Sequence, residues 1–227
     1  AMRVQWLSAL KLLDEFRLRH LRMSAVTCSA AITACERANR WRHATYLLGE
    51  MHDNSIGFSA VGCAAAITSC SKSVQWRHAL HLLDSFRAGG KLDVVCYNAA
   101  IAAVEHRGRW AWALWLLAAT RRERIKADVI TYNSAITSCA KGWFWQKAVD
   151  LLYRMSSDGV ERSDVSFAAT VAVCGLASQW QATLAVLRSA IGHTLAEDMP
   201  SVLSASIGAC AEALQWEHAT ALLLLLP

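Results

Sequence analysis

VITYNSAITSCAKGWFWQKAVDLLYRMSSDGVERS, residues 129–163, reads as two helix-like segments on either side of a break at Lys141 and Gly142. In the first, Tyr132, Ala135, Ile136 and Cys139 recur at i, i+3, i+4 and i+7; in the second, Trp145, Ala148, Leu151, Leu152 and Met155 keep a similar spacing. This is helical periodicity, with one apolar face per segment. Working outward, the same unit recurs along the whole chain. Trp stands at 6, 41, 76, 110, 145, 180 and 216, always 34 to 36 residues apart. Such a period marks a solenoid, in which each hairpin buries its apolar face against its neighbours.

The register predicts thirteen helices in one array. Residues 1–24 hold the second helix of a partial repeat, followed by repeats at 25–59, 60–93, 94–128, 129–163 and 164–199 and a partial repeat at 200–227. The fold class expected is all-α: a right-handed α-solenoid of antiparallel helix-turn-helix repeats. The chain opens and closes inside a repeat, as a piece of a longer array would, and shows no signal peptide. Alanine three residues after Trp marks a close approach of two helices, where a larger side chain would overpack. The Trp ring is expected to fill space between hairpins as core.

Of the 227 residues 55% are hydrophobic and two are proline, which excludes a disordered or Pro-rich chain. No apolar run reaches the roughly 18 residues of a spanning helix. Five of the eight cysteines, Cys35, Cys70, Cys139, Cys174 and Cys210, share one slot that Val104 fills in the third repeat. A slot that takes Cys or Val is a small apolar core slot. With no Cys-x-x-Cys in the chain, reduced structural thiols are expected rather than disulfides or zinc. The net charge of +5 is uneven: residues 1–127 carry 18 Lys and Arg against 9 Asp and Glu, and residues 128–227 carry 5 against 9. A basic N-terminal half is a candidate polyanion surface, with a merely solvated face as the alternative.

The unit resembles the pentatricopeptide repeat family. The resemblance rests on the 35-residue period, on DVVCYN at 93–98 and DVITYN at 128–133, on Lys141, and on KAVDLLYRM at 147–155. It is strong in the third and fourth repeats and weaker in the others, as in degenerate arrays of the P-type. Tetratricopeptide repeats differ in placing their Trp in the first helix; in this chain Trp opens the second. The resemblance implies an organellar protein, of plastid or mitochondrion, that binds single-stranded RNA on its concave face in RNA processing, stability or translation. Each repeat would read one base through a side chain early in its first helix and the last residue of the repeat. Carried over, the pairs are Ser29 with Ser59, Ala64 with Asp93, Asn98 with Asp128, Asn133 with Ser163, and Ala168 with Met199 or Asp198. By the same resemblance Asn98/Asp128 suggests uracil and Asn133/Ser163 cytosine. Val26, Val61, Val95, Ile130 and Val165 fall in the slot that sandwiches bases, and Ser201 breaks that series; the plain alternative is an apolar contact that starts a helix. Arg37, Lys72, His106 and Lys141 fill a basic slot for phosphate, which Leu176 and Glu212 do not continue.

One helix departs from the amphipathic rule. RWAWALWLLAAT, residues 109–120, adds Trp112 and Trp115 beside the repeat Trp110, and Trp143 follows in the next repeat. They form a candidate exposed aromatic patch for a protein partner, the alternative being local packing under Arg stems. A protein scaffold is therefore the second function expected. His43, His78 and His218 share the slot two after Trp and read as solvated surface histidines. No nucleophile–base pair, phosphate-cradling Gly loop or metal motif stands out, so no catalysis, metal or cofactor is expected.

Overall fold

Every repeat Trp from position 41 onward is the first residue of a helix, and the Cys slot lies near the end of the helix before it. The structure, a computed structural model, describes residues 2–19, 23–54, 56–57, 59–87, 92–105, 108–191 and 199–223. Among them are thirteen helices and no strand. They are α1 (Met2–Leu18), α2 (Ala25–Arg37), α3 (Trp41–Asp53), α4 (Ala60–Lys72), α5 (Trp76–Arg87), α6 (Val94–Glu105), α7 (Trp110–Arg122), α8 (Val129–Ala140), α9 (Trp145–Ser157), α10 (Asp164–Leu176), α11 (Trp180–Ile191), α12 (Met199–Glu212) and α13 (Trp216–Leu223). The fold class is an all-α solenoid of stacked helical hairpins. The chain forms two compact units, residues 1–107 and 108–227. In the first, α2, α4 and α6 pack side by side, with α3 against α2 and α4 and α5 against α4 and α6. In the second, α8, α10 and α12 form the continuous row, and α9 and α11 each pack against two of them.

The two kinds of helix bury different amounts. A second helix has one neighbouring layer, so it buries one stripe, such as Ala148, Leu151, Leu152 and Met155 in α9. A first helix sits between two other first helices and the second helices, so α4 buries nine residues, Gly62 to Ile67 and Ser69 to Ser71. Small residues make that burial sterically feasible. The Cys slot is fully buried in all six repeats, Val104 included. All eight cysteines are buried free thiols. Burial pushes the Cys70 thiol up to about 12 and the Cys139 and Cys174 thiols to about 11, so these side chains behave as small hydrophobes. The slot three after Trp is also closed: Ala44, Ala79, Ala113 and Ala148 are fully buried. Thr183 takes this slot in the fifth repeat and turns its hydroxyl back to the Gln179 carbonyl, 3.3 Å away.

Each hairpin turns in the same way. The residue two before Trp adopts a left-handed conformation: Asn39, Val74, Gly108, Trp143, Ser178 and Leu214 all have φ near +60°. The next N–H reaches back to the carbonyl of the Cys slot, from Arg40 to Cys35 and from Gln75 to Cys70 at 2.8 Å, and from Gln179 to Cys174 and Gln215 to Cys210 at 2.9 Å. This six-to-one bond closes a helix end of the Schellman type. Glycine is the usual residue for that conformation, and only Gly108 supplies it.

The repeat Trp is not the buried core residue that its recurrence predicts. From Trp6 to Trp180 the rings are half-buried, and Trp216 is 60% exposed. A helix N-terminus at the edge of the stack leaves one ring face open. The histidines two after Trp cover it from the next repeat: His43 on Trp6 at 5.3 Å, His78 on Trp41 at 4.8 Å and His218 on Trp180 at 4.8 Å between ring centroids. In the fourth repeat Phe144 does the same for Trp110, at 4.2 Å. These histidines are ring partners, not simply solvated side chains. Among the described residues no helix is long and apolar enough to cross a membrane.

Candidate nucleic-acid interface

The first helices begin behind a capping side chain. Backbone N–H groups donate from Thr27 to Ser24 Oγ (3.2 Å), Gly62 to Ser59 Oγ (3.1 Å), Cys96 to Asp93 Oδ1 (3.0 Å), Thr131 to Asp128 Oδ1 (2.8 Å) and Ser166 to Ser163 Oγ (3.3 Å). At Ser24, Asp128 and Ser163 the hydroxyl three residues on accepts the cap's own N–H, completing a capping box. Thus the last residue of a repeat, expected to read a base, is also the N-cap of the next repeat's first helix. The Ser or Asp three residues ahead of a Thr or Ser at 24–27, 128–131 and 163–166 was the sequence signal for that second role.

The partners early in the first helix are placed unevenly. Ser29 is 7% exposed, and its hydroxyl lies 2.7 Å from Ser59 Oγ and 2.6 Å from the Ala25 carbonyl, so the Ser29/Ser59 pair is brought together and bonded. Ala64 is buried at 7%, while Asp93 caps α6. Asn98 and Asn133 are half-buried on α6 and α8. Asn133 Oδ1 is enclosed and has no hydrogen-bond partner among the described residues. Met199 starts α12, and Asp198 lies outside the described residues.

Three residues before each of these positions, one helical turn away on the same face, stand the apolar side chains. Val26 is 78% exposed, Val61 67%, Val95 53%, Ile130 61% and Val165 55%. A helix-starting core contact would bury them; all five face solvent, and they do so in register across both units. Exposed β-branched residues recurring at one slot are not explained by packing.

The basic slot lies at the other end of the first helices. Arg37 and Lys72 are exposed in the last turns of α2 and α4, and Lys141 is the exposed C-cap of α8. His106 lies outside the described residues. Lys72 Nζ is 2.8 Å from Glu36 Oε1 on the neighbouring first helix, so its charge is shared. Exposed Leu176 and Glu212 occupy the slot in α10 and α12.

Trp112 and Trp115 meet edge-on at 5.7 Å and remain 43% and 40% exposed, although the Arg122 guanidinium lies over Trp115. Trp143 is 67% exposed in the turn before α9. Sequence reasoning missed a polar network that ties α7, α8 and the end of α9. Arg121 donates to both carboxylate oxygens of Asp158, and the fully buried Tyr132 donates its hydroxyl to the same carboxylate. The Arg121 hydrogen bond, with that of Tyr132, holds Asp158 below the usual carboxylate range; burial, reinforced by Asp158, pushes Tyr132 up to about 12. Among the described residues no cluster of His, Cys, Asp and Glu could hold a metal ion.

The sequence and the fold both match known repeat proteins. A family model described as a PPR repeat matches residues 26–56 and 130–160, and one described as a pentatricopeptide repeat domain matches residues 82–142. No curated protein matches the sequence. The pentatricopeptide repeat protein PPR10, solved in complex with an 18-nt psaJ RNA element, superposes with a TM-score of 0.70 at 21% identity, over 95% of this chain and 31% of its own. PPR10 from maize gives 0.66 at 16% identity, over 96% of this chain and 36% of its own. The PPR domain of Arabidopsis thaliana protein-only RNase P 1, solved in complex with tRNA, gives 0.62 at 11% identity, over 77% and 94%. The chain thus spans about a third of the length of the first structures it matches.

Proposed function

The chain belongs to the pentatricopeptide repeat family, and on that premise we propose that it binds single-stranded RNA along its first helices, one base per repeat. The observation that carries this reading is the exposure of a β-branched side chain at one slot per repeat, Val26, Val61 and Val95 in the first unit and Ile130 and Val165 in the second. Apolar side chains held in water at one slot per repeat suit the flat faces of unstacked bases, which is how RNA is read where its strands are single. The hydrogen-bonding residues Ser29, Asn98 and Asn133 stand one turn further along, where a base edge would fall. The orphaned Asn133 Oδ1 supports the same reading, because a base donor would satisfy it. Arg37, Lys72, His106 and Lys141 take the phosphates. Asn98/Asp128 prefers uracil and Asn133/Ser163 cytosine, as in the family; Ala64 and Ala168 offer no hydrogen bond, so their repeats discriminate poorly. The protein acts in RNA processing, stability or translation in a plastid or mitochondrion, and the reading assigns this chain no catalytic step.

The test is binding to a random single-stranded RNA pool over a salt series. We expect Asn98→Ala/Asn133→Ala to lose pyrimidine preference, and Arg37→Ala/Lys72→Ala to weaken binding across sequences with a salt slope shallower by roughly 0.7 per lost contact. Absence of RNA binding at about 0.1 M salt would overturn the reading. A scaffold function would then lead, favoured by the exposed Trp112 and Trp115 pair and by Trp143.

A further inference from the structure

The tetrapeptide WRHA occurs twice, at 41–44 and 76–79, one repeat apart. Its Trp and Ala serve the fold; its Arg and His are exposed, and RNA reading along the first helices does not use them. In the structure they make an interleaved edge. The Arg42 guanidinium lies over its own Trp41 and the Arg77 guanidinium over Trp76, each 4.9 Å from the ring centroid; Arg40 lies 5.0 Å from Trp6. His43 covers Trp6 and His78 covers Trp41 from the following repeat. Stacking fixes the planar guanidinium on the ring while leaving its N–H edge outward, the arrangement that suits phosphate oxygens.

The charge along this edge is mainly basic, with Glu36 paired to Lys72. Residues 37–49 include Arg37, Arg40 and Arg42 and no acid, and residues 71–83 include Lys72 and Arg77 and no acid. The corresponding starts of α9 and α11 carry neutral Gln146 and Gln181, and α13 carries acidic Glu217. Arg37 and Lys72 end α2 and α4; Arg42 and Arg77, each five residues on, are the second residues of α3 and α5. The basic surface of the first unit therefore does not stop at the first helices.

We propose that Arg42 and Arg77 form a second phosphate-binding row for RNA on the turn edge of residues 1–107, beside the row of Arg37 and Lys72. This rests on the RNA-binding reading. Contacts to phosphate carry no base information; the row adds affinity and salt dependence. It confines the added backbone contact to the first unit, in keeping with 13 basic against 8 acidic side chains in residues 1–107, where residues 108–227 hold 10 of each.

The experiment compares wild type, Arg42→Gln/Arg77→Gln and Arg42→Lys/Arg77→Lys by fluorescence anisotropy on one single-stranded RNA across a salt series. Two lost phosphate contacts lower the log–log slope by about 1.4, roughly a 25-fold loss of affinity at 0.1 M salt. The Gln variant is expected to show that loss with an unchanged melting curve and unchanged base preference, and the Lys variant to keep the wild-type slope. If wild type binds and the Gln variant keeps its slope, the second row is wrong while RNA reading stands. If the Lys variant loses as much as the Gln variant, the arginines serve ring packing and the proposal falls. If wild type does not bind RNA, the underlying reading falls first.

Discussion

Gly175 reports how closely the first helices must approach. It lies in α10, and a Cβ built on it would stand 2.6 Å from the Cβ and 3.1 Å from the Cα of Ala209 in α12. Carbon atoms in ordinary contact lie about 3.5–4.0 Å apart, so α10 and α12 would have to separate locally by roughly 1 Å. Ala209 is itself in a helix and can yield only by moving backbone. Gly175→Ala should otherwise stabilise a helix interior by about 1 kcal/mol. Overpacking opposes that gain by about 1–3 kcal/mol, with the upper half of the range applying where backbone must move. The net expectation is destabilisation by about 1–2 kcal/mol, a fall in melting temperature of roughly 2–8 °C for a chain of this size. Far-UV circular dichroism melts measure it, and amide exchange in α10 and α12 localises it. Ala209→Gly in the same chain should restore the contact, giving a coupling of about 2–3 kcal/mol in a double-mutant cycle. A stabilising Gly175→Ala, or strict additivity of the two changes, would refute the close approach. On the RNA-binding reading the contact also bears on function: α10 and α12 carry Val165 and Ser201 at the proposed base-facing slot, and their spacing would set the step from one base to the next.

Tyr132→Phe removes a hydrogen bond to the Asp158 carboxylate and should cost about 1–2 kcal/mol, the lower part of the range for a charged acceptor because Asp158 keeps Arg121 and is partly exposed. Since Asp158 is held below its usual range, its contribution is present above about pH 4 and is lost as pH falls through the folded value; since Tyr132 is raised to about 12, its own contribution is full below about pH 10 and is lost as pH rises through 12. Urea midpoints across pH check both, and a Phe variant with the wild-type pH profile would sink the network. Val74→Gly should stabilise by about 0.5–1 kcal/mol, because a β-branched residue at φ +59° costs about 1–2 kcal/mol while Gly returns part of that as backbone entropy; a lower melting temperature for the variant would contradict the strain.

The fold was legible because every repeat solves the same packing problem. The Cys slot, the Ala after Trp and the Leu-Leu pair recur for steric reasons, and in-register recurrence is what a solenoid core writes into a sequence. Recurrence does not separate buried from exposed, however. Trp at the start of a second helix and Val or Ile at the start of a first helix both recur in register, the second series until Ser201. Yet the first is half-covered by a histidine from the next hairpin, and the second stands in water. The left-handed turns were invisible for a different reason: Asn39, Val74, Trp143, Ser178 and Leu214 share no side-chain chemistry, so only the backbone bond to the Cys-slot carbonyl identifies the position. The Arg121–Asp158–Tyr132 network joins polar side chains from α7, α8 and the end of α9, and a reading built on apolar spacing passes over such partners.

The repeat-end residues join stability to recognition in a way neither role alone explains. Ser59, Asp93, Asp128 and Ser163 each cap a first helix, and an alanine there would cost about 1 kcal/mol before any base was bound. On the RNA-binding reading the same side chains face a base edge. The two demands select the same short list: the strongest caps are Asn, Asp, Ser and Thr, which are also the compact side chains that offer a base an acceptor, a donor or both. A carboxylate has a second oxygen and a hydroxyl a second lone pair, so accepting the cap bond does not use up either group's hydrogen-bonding capacity. Capping therefore narrows the alphabet at the repeat end without silencing it. The cap also fixes the side chain against the backbone, so that when it meets a base little rotamer freedom is left to lose. Substitutions meant to alter base preference at these positions should accordingly stay within the capping residues; Asp128→Asn keeps the helix start, whereas Asp128→Ala mixes a lost contact with a frayed helix.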